Sequence, residues 1–71
     1  MTYTLITSGG KFAEAMRYNH NPVTFTGDIN RCFWCDVTSE CDMIELNKII
    51  NKLKADGVTY DYLYLRDGDH G

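Results

Sequence analysis

Residues 8–18 read SGGKFAEAMRY, and the fold turns on whether they hold a helix. Ser8-Gly9-Gly10 breaks the β-branched and aromatic run Thr2–Thr7 (TYTLIT), which reads as a strand. Beyond the glycines, Phe12, Ala15 and Met16 recur at helical spacing, so the spacing predicts a short helix over 11–18. Two turns need tertiary support to stay formed. Asn19-His20-Asn21-Pro22 then ends it, because the residue before a proline avoids the helical region. Without this helix, a smaller fold of one sheet and one helix remains.

Working outward, Val23–Thr26 (VTFT) and Arg31–Thr38 (RCFWCDVT) read as two strands. Gly27-Asp28-Ile29-Asn30 carries turn chemistry between them, which predicts a hairpin. Ser39–Asp56 has the clearest pattern. Ser39 suits an N-cap, and Asp42 resembles a capping-box acid. Met43, Leu46, Ile49, Ile50 and Leu53 form one apolar stripe, and Ile44 lies off it. Lysines gather near the C-terminal end, where the helix dipole favours them, and Gly57 supplies the C-cap. Val58–Leu65 (VTYDYLYL) reads as the last strand, and residues 66–71 as a flexible polar tail.

The resulting order is strand, helix, strand, strand, helix, strand. It predicts a single α+β domain over residues 1–71 with a βαββαβ, ferredoxin-like plan. Two helices would cover one face of a four-stranded antiparallel sheet.

Seventy-one residues are too few for two cores or for a large barrel or doubly wound enzyme fold. The 44% hydrophobic content and net charge of −3 speak against a disordered chain. No apolar run approaches a membrane span, so no membrane partner is expected. Met1–Gly10 lacks the basic start and apolar centre of a signal peptide. With an odd cysteine count, that leads to the expectation of a reducing cytoplasm. Seven basic residues against ten acidic ones leave no basic stripe for phosphates, so direct nucleic-acid binding is not expected.

The sharpest chemical motif is Cys32-Phe33-Trp34-Cys35. With Cys41 and His20 or His70 it would offer zinc three thiolates and an imidazole. Bulky Phe and Trp inside an extended stretch oppose this, since positions i and i+3 of a strand face opposite ways. Half-buried strand cysteines are the favoured reading, no cofactor is implied, and zinc stays as the alternative. Ser8-Gly9-Gly10-Lys11 has the position of a phosphate cradle but lacks a Walker spacing, and reads as a turn. The residues offer no nucleophile–base pair or acid/base dyad, so no enzyme is expected.

The aromatic residues carry the functional expectation. If Leu63 and Leu65 face the helices, Tyr60, Tyr62 and Tyr64 occupy the open sheet face with Trp34. Such a face suits recognition, because these side chains give large contact area at low entropic cost. The acidic segment contributes Asp36, Glu40 and Asp42 as electrostatic partners. The expected function is a small acidic, non-catalytic protein-binding module, an inhibitor or regulator. Its partner would be a protein, a basic nucleic-acid-binding one included, or a second copy forming a homodimer. In size and charge the chain is similar to phage and mobile-element inhibitors of host enzymes, anti-CRISPR proteins among them, with no motif behind the likeness.

Overall fold

The computed structural model describes residues 2–17 and 20–66. Along them run β1 (Thr2–Ser8), β2 (Lys11–Ala13), β3 (Phe25–Thr26), β4 (Cys35–Asp36), α1 (Glu40–Ala55) and β5 (Asp61–Arg66). Among the described residues there are one helix and five strands, the strands forming a curled half-barrel sheet, which corrects the ferredoxin-like expectation of two helices on a four-stranded sheet.

The glycines make the difference. Gly9 and Gly10 both take positive φ, 58° and 80°. Two successive positive φ values make the type I′ turn whose twist suits a two-residue hairpin. β1 therefore folds straight back into β2, with Ser8 opposite Lys11 and Thr7 opposite Phe12. The expected helix over 11–18 is a three-residue strand followed by irregular chain, and Tyr18 lies outside the described residues. The expected hairpin of residues 23–26 with 31–38 is also replaced. β3 pairs with β2, and β4 pairs with β1. Turn chemistry at 27–30 is present all the same. The Asn30 amide donates to Asp28 Oδ1 at 2.9 Å, and the Arg31 amide to the Asp28 carbonyl at 3.0 Å. That turn feeds a loop rather than a hairpin.

β1 is the hub. β5 pairs with Thr2–Thr7 along one edge. The other edge is shared, with β4 against Tyr3 and Thr4, and β2 against Thr7 and Ser8. The Phe33 amide donates to the Ala13 carbonyl at 3.0 Å and stitches the approach to β4 onto β2.

α1 follows its sequence signals closely. Ser39 Oγ accepts the Asp42 amide at 3.3 Å as N-cap. The Asp42 carboxylate, expected to return to Ser39, instead accepts the Asp36 amide at 3.0 Å. At the far end Gly57 has φ 69°. Its amide donates to the Lys54 carbonyl at 3.2 Å, and the Val58 amide to the Leu53 carbonyl at 2.9 Å. That pair of bonds is a Schellman motif, with Val58 and Leu53 supplying its apolar contact.

The core beneath α1 comprises Leu46, Ile49 and Leu53 with Ile6, Ala13 and Cys35. Residues opposite each other across an antiparallel pair share a face. Thr4 and Ile6 face α1, and so do Tyr64 and Tyr62 opposite them. Leu63 and Leu65 pair with Leu5 and Tyr3 on the face away from α1, the reverse of the expected orientation. That second face is not open. Leu5 is fully buried there, outside the helix-side cluster and opposite the half-buried Leu63. Arg66 closes β5 rather than beginning a tail, and residues 67–71 lie outside the described residues.

Candidate functional site

Alternation along β5 sends Tyr62 and Tyr64 out on the helix side of the sheet, beyond the strip that α1 covers. Tyr60, just before the strand, packs against the core. The Tyr60 and Tyr62 rings meet edge-on, with centroids 5.8 Å apart. Tyr62 and Tyr64 stack at 6.3 Å with an interplanar angle of 20°. The row grades outward, since Tyr60 is half-buried, Tyr62 is 46% exposed and Tyr64 66%. Hydrogen bonding with the Tyr60 side chain, then burial, raises the Tyr62 phenol above its ordinary pKa.

Among the described residues β5 pairs with β1 alone, so no other strand covers its outer edge between Asp61 and Leu65. Such an edge is a template for another strand.

Trp34 does not join the tyrosine row. Its neighbour Cys35 faces the core, so alternation turns Trp34 to the other side of the sheet. There its ring meets Tyr3 edge-on at 5.4 Å, and its indole N–H donates to the Ile29 carbonyl at 2.8 Å. Half-buried and hydrogen-bonded, Trp34 anchors the 27–34 loop.

The acidic trio gathers where β4 passes into α1. Asp36 Oδ1 accepts the Thr38 amide at 2.9 Å and the Thr38 hydroxyl at 2.8 Å. These bonds hold its carboxyl below the usual carboxylate range. Asp42 is spent on the Asp36 amide. Glu40 sits exposed in the first turn of α1, and no hydrogen bond holds its carboxylate within the described residues.

The three thiols stay apart in purpose. Cys32 Sγ donates to the Ile29 carbonyl at 3.1 Å. Cys35, fully buried, reaches Met43 Sδ at 3.6 Å. Cys41 is exposed on α1. Burial pushes both Cys32 and Cys35 above the ordinary thiol pKa, away from thiolate chemistry. Among the described residues no group of three or more His, Cys, Asp or Glu is placed to hold a metal ion. His70, one of the two histidines considered for zinc, lies outside them. No helix there is long and apolar enough to cross a membrane.

No family model, curated protein or solved structure matches the chain.

One feature escapes any local reading of the sequence. The Glu14 amide donates to the Thr24 carbonyl at 2.9 Å, extending the β2–β3 pairing. Residues 14–17 and 21–24 thereby flank a cavity of about 380 Å³, which Arg31 also lines. Arg17 and Arg31 are fourteen positions apart, and no motif links them.

Proposed function

We propose that this protein is a non-catalytic binding module that docks a partner protein along β5. The observation carrying this reading is the β5 edge, which no strand covers among the described residues, with Tyr62 and Tyr64 standing in a stacked row beside it. A partner strand added there would take its affinity from main-chain hydrogen bonds and its specificity from the alternate side chains. Tyrosines suit the task, being rigid and amphipathic. Tyr60 supports the row from within.

Net charge −3 and the acidic turn of Asp36, Glu40 and Asp42 favour a partner with a basic surface, approached electrostatically. An acidic surface seated in a basic nucleic-acid groove competes with phosphate, which is the inhibitory form of this reading.

The test is site-specific photo-crosslinking in the cells that express the chain. A photoreactive residue replaces Tyr64 in one sample and the exposed helical Asn47 in another. A discrete heterologous adduct is expected from position 64 alone, and Tyr62→Ser in the same chain should abolish it. Equal adducts from both positions would end the edge-docking reading. An adduct with the mass of two copies would assign the edge to self-association instead.

A further inference from the structure

The chain has seven basic residues and an acidic balance, yet four of the seven gather on one side. Arg17 and Arg31 line the cavity between residues 14–17 and 21–24. Lys48 and Lys52 line a second cavity of about 310 Å³ against α1. The two adjoin at Met16, which lines both. Local charge and global charge therefore have opposite signs.

The carboxylates nearby leave the arginines available. Glu45 Oε2 accepts the Met16 amide at 2.7 Å. Asp56 Oδ1 sits 3.6 Å from Lys52 Nζ. Among the described residues neither Arg17 nor Arg31 has an ion-pair partner or a side-chain hydrogen bond. Two guanidiniums with no ion pair among the described residues, at one cavity, in a chain with surplus carboxylates, form an arrangement that ordinary surface pairing does not explain. The planar guanidinium fork matches a phosphate or carboxylate through two parallel hydrogen bonds.

We propose that the Arg17–Arg31 cavity is a binding site for a small phosphate ester. Its volume falls in the range of small-molecule sites, roughly 300–1,000 Å³. The phosphate sits between the two guanidiniums. Glu14, also on the wall, accepts a hydrogen bond from a sugar-like hydroxyl, which favours an ester with a hydroxylated body. Lys48 extends the positive field along the adjoining groove, where Lys52 is paired with Asp56. This site is separate from the β5 edge, so either reading stands if the other fails.

The test is an amide-resolved NMR titration with ribose 5-phosphate, inorganic phosphate and sodium chloride at matched ionic strength. Saturable shifts are expected with ribose 5-phosphate, concentrated in residues 14–17, 21–24 and 31. Inorganic phosphate should bind more weakly, and chloride should give only small, linear shifts. Arg17→Ala and Arg31→Ala, both at exposed positions, should keep the native spectrum and each weaken ribose 5-phosphate about tenfold or more. Glu14→Gln should narrow the preference for the ester over inorganic phosphate. No saturable shift, or one that both arginine variants leave unchanged, would overturn the site. Inorganic phosphate binding as tightly as the ester in the unaltered chain would overturn the ester assignment.

Discussion

Asp36 and Asp42 hold the backbone in shape at the entry to α1, which gives the acidic trio a structural task alongside any electrostatic one. Asp36 is the informative member. The Thr38 amide, then the Thr38 hydroxyl, lowers its folded pKa. A carboxyl lowered on folding stabilises the fold above its unfolded pKa, about 3.9, and loses that contribution as pH falls through the folded value. Asp36→Asn keeps an oxygen for the Thr38 amide but does not titrate. The variant should therefore lose less stability than the unaltered chain between about pH 6 and pH 2.5, read from urea midpoints at both. An identical loss would show that this carboxyl does not link folding to acid. The cysteines divide by environment. Exposed Cys41 should be the first to take iodoacetamide at neutral pH, with Cys32 slower and Cys35 modified only in denaturant. Peptide mass spectrometry over a labelling time course reads that order, and early labelling of Cys35 would contradict its place in the core.

At the scale of elements, α1 and the β1–β2 hairpin show how far local signals reach. Ser39, the apolar stripe and Gly57 were each sufficient for the helix, because caps and periodicity act within a few residues. Ser39→Ala should cost about 1 kcal/mol, and Leu53→Ala about 2–5 kcal/mol, both measurable by chemical denaturation. A Leu53 loss no larger than that of Ser39 would mean that α1 is loosely seated. The hairpin was obscured because Gly9-Gly10 suits both a helix approach and a type I′ turn, while Phe12, Ala15 and Met16 mimic helical spacing. What separates the two is the partner strand, and β1 lies on the other side of the glycines. Added Cβ atoms at Gly9 and Gly10 meet nothing within 4 Å, so substitution there is conformational in cost. Gly9→Asn, tolerant of left-handed backbone, should leave the thermal midpoint nearly unchanged, whereas Gly10→Val should cost about 1–2 kcal/mol or more. Equal effects would argue against the turn. The tyrosine row was partly legible in the same way. Alternation grouped Tyr60, Tyr62 and Tyr64 correctly. It did not say which face α1 would take, because both faces of the curled sheet bury apolar side chains, Ile6 on one and Leu5 on the other. Trp34 was assigned to the tyrosines on the assumption of one open face. The Arg17–Arg31 cavity had no signal at all, since it arises from long-range pairing.

Across the whole molecule, stability is concentrated in β1. Three of the other four strands pair with it, and Thr4, Leu5 and Ile6 are buried between them. β3 and β4 are two residues each and cannot persist alone. A chain of this length has about 4–11 kcal/mol of global stability to distribute. Freeing the β1 amides requires loss of β5 on one edge and of β2 or β4 on the other, which amounts to unfolding. Freeing β3 requires only the β2 contact. Native-state hydrogen exchange should therefore find its slowest amides among Thr4–Thr7 and on the inner face of α1, with β3 and the 27–34 loop exchanging by local opening at far lower free energy. The expected split bears directly on the β5 edge. Strand addition needs a rigid template, and among the described residues β1 is the one strand that holds β5 in register. If β1 exchanged as readily as β3 while α1 stayed protected, the sheet would be a soft layer under a stable helix, and a partner strand would have to order β5 as it bound. Slow exchange in β1, together with protection of only those β5 amides that point inward, would instead describe an edge already set for its partner.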